Sequence, residues 1–174
     1  MLLALIGVDP GIVDTAAVVL ELDTDAKSIR VQPKVWRGVT NRVKQSITVS
    51  DTFLKELKTY VENSTEAAKF IYVEGFRPRG RNPQQDQNMT LLVQECHKAL
   101  KTSTVVDNTG IKNVVIPNIL KIFRCTDWDI STHHSDLSSA ARVALKGAMQ
   151  HEVLNGVVAD VVRDYLDGEP WREA

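Results

Sequence analysis

Three acidic side chains stand in positions that point to shared chemistry. Asp9 ends the apolar run from Leu2 to Val8 and is followed at once by Pro10-Gly11, and Glu74 ends the run Phe70-Ile71-Tyr72-Val73 and is followed by Gly75. Asp136 lies near the start of an alanine-rich segment, with His133 three residues before it. In open α/β sheets the ligand crevice lies outside the carboxyl ends of the strands, so acids ending two adjacent parallel strands would meet there. Residues three apart on a helix face the same way, which puts His133 beside Asp136. Carboxylates gathered in this way repel one another unless a cation neutralises them, and hard cations such as Mg²⁺ prefer carboxylate and water oxygens. Two such ions about 3.5–4 Å apart can clamp a phosphodiester, one activating water and the other stabilising the leaving oxygen. Hydrolysis is the reaction class this set supports. Taken singly, each residue also has a structural use: aspartate closes turns, a strand-end glutamate can be solvated, and His133, His134 and Asp136 suit a helix cap. Their order, and the common crevice their elements would share, favour the chemical reading.

The elements that must position these residues can be read from the hydrophobic pattern. Residues 2–8 are nearly all apolar and read as a strand buried on both faces. Thr15 to Leu22 is a second strand, and Ile29 to Trp36 alternates as a third, demoted to an edge by Pro33, which cannot donate to a ladder. An antiparallel meander opens the chain. Ser50 caps a helix that carries Phe53, Leu54, Leu57, Tyr60 and Val61 at helical spacing. After the Phe70–Val73 strand comes a polar loop, Arg77 to Gln87. A helix follows with Met89, Leu92, Val93, Cys96 and Leu100 on one stripe, either a core face or an interface between subunits. Val114-Val115-Ile116 reads as a fifth strand, and Pro117 as the first position of a short helix. From about Ser135 a helix turns Leu137, Ala140, Ala141, Ala144 and Ala148 inward, small residues that permit close packing on a sheet. A last helix runs from Val153 to Leu166. The order βββαβαβα plus a helix specifies an α/β domain with a mixed sheet, a single domain over residues 1–174.

Composition narrows the function classes. With 174 residues, 43% hydrophobic and 25% charged, the chain can bury one full core. No run approaches the roughly 18 apolar residues of a membrane span, and the apolar start lacks a basic flank and a cleavage site, so a soluble, cytoplasmic protein with no membrane partner is expected. Cys96 and Cys125 form no metal-binding spacing and are expected to be reduced. The net charge of −1 gives no global sign of a nucleic-acid partner. Between Phe76 and Lys101, however, Arg77, Arg79, Arg81, Lys98 and Lys101 face only Asp86 and Glu95, a local charge of +3 suited equally to phosphate contacts or to a solvated face.

The segments Ile6-Gly7-Val8-Asp9-Pro10-Gly11, Ile71-Tyr72-Val73-Glu74 and His133-x-x-Asp136 with Ala140-Ala141 resemble, in that order, the motifs of RuvC-type Holliday-junction resolvases. The likeness spans nearly the whole chain. It implies a ribonuclease-H-like fold with a mixed five-stranded sheet flanked by helices. It also implies a homodimer, a site with two Mg²⁺ ions for which Mn²⁺ can substitute, and paired incisions of branched DNA that leave ligatable nicks. By position, Asp9, Glu74 and Asp136 would be metal-binding catalytic carboxylates. His133 occupies a place where the family carries aspartate or histidine, to bind metal or to move a proton. Phe76 would stack on an unpaired base and Arg77, Arg79, Arg81 and Lys121 would contact DNA, while the helix from Gln84 to Leu100 would be the dimer-forming one. The chain departs from the family pattern in carrying Ala16 and Ala17 where glycine is common, in the closeness of Phe76 to Glu74, and in a short stretch between Phe123 and His133. A minimal resolvase of this kind suits a phage. Two-fold symmetry is an independent reason for a dimer, since resolving a four-way junction takes one cut in each of two equivalent strands. Other readings are a broader nuclease acting on flaps, forks or RNA–DNA hybrids, and a catalytically silent junction-binding protein. A sugar-kinase-like nucleotide-binding protein would need two lobes, for which the chain is too short.

Overall fold

The computed structural model describes residues 1–130 and 132–174. Strand β1 (Leu2–Asp9) pairs antiparallel with β2 (Asp14–Asp23), and β2 pairs antiparallel with β3 (Ser28–Arg37), the meander expected from the sequence. β4 (Thr40–Val43) and β5 (Ser46–Val49) form a separate two-stranded hairpin. Helix α1 (Asp51–Asn63) begins at Ser50, whose side chain accepts a hydrogen bond from the Phe53 amide, and leads to β6 (Ala68–Gly75), parallel to β1. Helix α2 (Pro83–Ala99) leads to β7 (Thr104–Asp107), parallel to β6. Then come α3 (Ile111–Val114), α4 (Pro117–Ile122), α5 (His134–Gln150), α6 (Leu154–Leu166) and β8 (Arg172–Glu173), which pairs with Ser28 and Ile29 of β3. The main sheet runs β7-β6-β1-β2-β3-β8. Among the described residues no helix is long and apolar enough to cross a membrane.

Two hydrophobic clusters sandwich the sheet. Successive side chains of a strand point to opposite faces. Leu3 and Leu5 of β1 therefore join Ala16, Val18 and Leu20 of β2 against α5 and α6, and Ala4, Ile6 and Val8 join Ala17 and Val19 against α1 and α2. The same alternation directs Gly7 and Asp9 toward α5. Helix α5 lies directly on the strands there: a Cβ built on Gly7 would come within 1.9 Å of the Ala140 carbonyl oxygen. Its alanines at 140, 141, 144 and 148 are all buried, as their spacing predicts. Gly147, farther along α5, makes room for the Tyr72 ring in the same way.

Two expectations change, one element appears that the hydrophobic pattern does not announce, and of the two readings of the α2 stripe the core one holds. The fifth strand is Thr104–Asp107 rather than Val114–Ile116; Val114 ends α3, Ile116 caps α4, and both are about half exposed while Val115 alone is buried. β7 lies at the sheet edge and turns only Val106 inward, so it carries no apolar run to announce it. The main sheet has six strands, not five, because the two residues of β8 add to β3. That pairing stops at Ile29, so Pro33 stands on an unpaired edge as its missing donor requires. The β4–β5 hairpin was not foreseen, since only Ile47 of its eight residues is buried. Lastly, Leu92, Val93, Cys96 and Leu100 of the α2 stripe pack into the core under the sheet, which removes them from any interface between subunits. Cys96 and Cys125 are free and buried, and burial pushes the Cys96 thiol up to about 12, so neither offers a thiolate near neutral pH.

The seat of α5 is open to a direct test. Gly7→Ala should destabilise the protein by about 2–3 kcal/mol, because the methyl must push the α5 backbone off the sheet. In thermal unfolding this appears as a fall in Tm of about 5–10 °C.

Candidate active site

The register of the sheet brings the two strand-end acids together. Val8 of β1 pairs with Val73 of β6, so the next residues, Asp9 and Glu74, are neighbours at the carboxyl edge of adjacent parallel strands. Their faces agree: Asp9 follows Gly7 toward α5, and Glu74 follows Tyr72, which packs with Val143 of α5. Asp136 sits in the first turn of α5, one turn before the Ala140 that rests on Gly7, and an acid there is favoured by the helix dipole. The fold thus delivers all three carboxylates to one edge from residues 9, 74 and 136.

Their proximity is written in the titration of Asp9. Burial first, then the Glu74 carboxylate through a shared hydrogen bond and its charge, and then the charge of Asp136, push Asp9 up to about 9. At neutral pH Asp9 holds a proton that an isolated aspartate would shed. Among the described residues no three His, Cys, Asp or Glu side chains already surround one point as a metal-holding group. Asp9 and Glu74 are the close pair, and Asp136 acts on Asp9 through its field. The donor set nevertheless fits a hard divalent cation: its oxygens are all carboxylate, and a proton now screens the repulsion that an ion would neutralise.

His133 lies between two acids. Its Nδ1 is 3.1 Å from Asp136 Oδ2, as the three-residue spacing predicts, and its Nε2 is 3.4 Å from Asp14 Oδ2. A φ of 65°, uncommon for a residue other than glycine, turns the chain at the start of α5 to place the ring there. Reading the sequence missed Asp14. It opens β2 on the far side of the Asp9-Pro10-Gly11 turn and points to the α5 face by the same alternation as Ala16. That two-residue periodicity, counted back from Ala16, was the signal available. Gly11 permits the turn, since a Cβ there would lie 2.2 Å from the Asp14 carbonyl oxygen.

On the other side of Glu74 a cleft of about 300 Å³ is lined by Asn108, Lys112, Ser139 and Arg142. Its wall is the segment from Asp107 to Gly110, clasped to α5 by the buried Lys146, whose Nζ donates to the carbonyls of Asp107 and Thr109. Arg142 was not singled out from sequence because it interrupts an otherwise small, inward-facing helix pattern. Phe76 is half-buried against the core under α1 and α2, and with Arg77 and Arg79 it lines a second cleft that ends on the same segment. Arg77 donates to Thr109 Oγ1 at 3.4 Å, and Arg79 and Arg81 are exposed on the loop before α2. Lys121 stands apart: it is exposed on α4, a helix packed on α5 and α6, three residues before the Arg124 that holds the Trp171 carbonyl. The structure brings Asp9, Glu74, Asp136 and His133 together, sets Phe76, Arg77, Arg79 and Arg81 on the adjoining loop, and leaves Lys121 away from both.

The raised Asp9 carries a sign that can be measured. Its folded value of about 9 exceeds the 3.8 of an unperturbed aspartate, so between these pH values the folded state binds more protons than the unfolded state. This contribution to stability is complete below about pH 4 and is lost as pH rises toward 9. Without divalent cations, Asp9→Asn should therefore raise Tm at pH 8 by several degrees, about 2–4 °C per kcal/mol regained. It should also flatten the fall in stability between pH 5 and 9, followed by chemical denaturation across that range.

No protein-family model matches the chain, and no curated protein sequence matches it. Solved structures do. A Thermus thermophilus RuvC bound to a Holliday-junction substrate is similar with a TM-score of 0.50 and 15% identity, covering 83% of this chain and 90% of that one. Another Thermus thermophilus RuvC structure gives 0.48 and 15%, covering 83% and 92%. A fowlpox virus resolvase in complex with Holliday-junction DNA gives 0.43 and 14%, covering 84% and 95%. The chain has the ribonuclease-H-like fold of RuvC, a mixed sheet flanked by helices.

Proposed function

We propose that this protein is an endodeoxyribonuclease that resolves four-way DNA junctions by paired, divalent-cation-dependent hydrolysis of phosphodiester bonds. The observation that carries this reading is the convergence of Asp9, Glu74 and Asp136 at the carboxyl edge of a RuvC-type sheet. That edge is where an open α/β sheet receives its ligand. The fold's likeness to a RuvC bound to a Holliday junction supports the choice of substrate.

Asp9 and Glu74, with Asp136 beside them, would hold the cations, two Mg²⁺ ions or Mn²⁺ in their place. When bound, such ions neutralise the acids, lower the pKa of a coordinated water and stabilise the departing 3′ oxygen. Asp9 must give up its proton for the site to load. His133, with a carboxylate at each ring nitrogen, is positioned to pass a proton toward Asp136 or Asp14 at the edge of the site. Phe76 would stack on a base beside the scissile strand, and Arg77, Arg79 and Arg81 would hold flanking phosphates. Lys121 would meet the DNA outside this loop. A homodimer would present two such sites to the two equivalent strands of a junction, and ligatable nicks follow if both cuts leave a 5′ phosphate and a 3′ hydroxyl.

The decisive experiment incubates the protein with a synthetic four-way junction, with and without Mg²⁺, and maps incisions on all four strands. Two symmetric incisions that need the cation are expected. Cleavage of flaps, forks or RNA–DNA hybrids at equal rate and fixed salt would assign a broader nuclease instead, and binding without turnover a silent junction-binding protein. Asp9→Asn should retain junction binding and lose cleavage; cleavage surviving that change would refute the assignment. Asp14→Ala, which removes the orienting partner of His133 Nε2, should slow cleavage by about 10- to 100-fold while leaving junction affinity unchanged.

A further inference from the structure

The β4–β5 hairpin and the start of α2 enclose a cleft of about 330 Å³ whose chemistry differs from that of the other clefts. Among the described residues it is lined by two cations, Arg42 and Lys44, and by five amide side chains, Gln45, Asn82 and Asn88 among them. Neither a carboxylate nor an apolar residue lines it. The walls are joined at the bottom: buried Asn88 donates to the Gln45 carbonyl at 2.9 Å, and its own oxygen accepts from Gln84 at 3.1 Å. Both walls are tied to segments that follow the strand-end acids, the hairpin through hydrogen bonds and α2 through the chain itself. The hairpin base is tied to the turn after Asp9, with Thr40 Oγ1 donating to the Ile12 carbonyl at 2.7 Å and the Val39 amide to the Val13 carbonyl at 3.2 Å. The α2 wall starts at Asn82, eight residues beyond Glu74 at the end of the arginine loop.

Cations beside amides, with no acid present, suit a ligand that is anionic along its length and offers both donors and acceptors. A nucleic-acid strand has those properties: lysine and arginine meet its phosphates, and amides meet sugars and base edges. Lys44 also holds a costly place. It is the first residue of the two-residue turn between Val43 and Ser46 and adopts φ 59°, where glycine or asparagine would be at ease. Folding alone gives no reason for lysine there, whereas a phosphate contact does. Resting on the nuclease reading above, we infer that the β4–β5 hairpin is a DNA clamp. It grips the backbone of a duplex arm outside the cleavage centre, with Arg42 and Lys44 on phosphates and the amides lining the strand's path.

The test measures binding of a labelled four-way junction by fluorescence anisotropy across a salt series in Ca²⁺. It compares the wild type, the double variant Arg42→Gln/Lys44→Gly, and Lys55→Gln on the exposed side of α1 as a control. The double variant should bind about tenfold or more weakly, with a slope of log affinity against log salt shallower by about 1.8, the value for two lost phosphate contacts. Both replaced side chains are exposed and glycine suits the turn, so Tm should not move. Lys44→Cys carrying a photo-crosslinker, the only accessible thiol since Cys96 and Cys125 are buried, should attach to a junction arm. Unchanged affinity and slope in the double variant, or no crosslink while the wild type binds, overturns the clamp and leaves the nuclease reading standing. A wild-type protein that binds no DNA overturns both.

Discussion

The contact between the α5 backbone and β1 at Gly7 governs the rest of this structure. A helix usually rests on a sheet through a layer of side chains, but here the Ala140 carbonyl takes the space a Cβ would need. The small residues along α5 allow that approach, and Gly147 extends it over Tyr72. Asp136 lies one turn before Ala140 and Asp9 two residues after Gly7. The packing that closes the core therefore also sets the spacing of the acids, and neither can be adjusted alone.

That spacing carries an electrostatic cost, which the fold sustains because Asp9 and Glu74 sit on strand ends and Asp136 on the first turn of α5, all backed by two hydrophobic clusters. The proton retained by Asp9 reflects this stress. Around the acids the chain arranges the opposite charge: the arginines on the loop before α2, Arg142 of α5 and Lys112 of α3 beside Glu74, and Arg42 and Lys44 on the hairpin. A net charge of −1 averages over this separation of signs and hides it. A polyanionic substrate would be held by the cationic surround while its scissile phosphate is drawn to a cation held by the acids.

Much of the architecture could be read from hydrophobic pattern. Two apolar runs, each ending in an acid followed by a glycine-containing turn, announce β1 and β6; that they are adjacent and parallel, the condition for Asp9 and Glu74 to meet, is supplied by the register of the sheet. The alanine pattern of α5 and the His133–Asp136 spacing were equally plain, because local periodicity maps directly onto the face of a helix. Elements that bury little were not legible. β7 turns one residue inward, the hairpin one, and β8 is two residues long, so none leaves a pattern above that of a loop.

The sequence by itself determined which side chains can do chemistry and on which face of its own strand or helix each lies, since those properties depend on neighbours a few positions away. Tertiary structure alone decided which faces meet. It joined Asp14 to His133 across 119 positions, turned the α2 stripe into core, set Arg142 beside Glu74, and brought the hairpin against the start of α2. Those pairings depend on strand order, register and the depth at which α5 sits on the sheet, and no stretch of the chain encodes them alone.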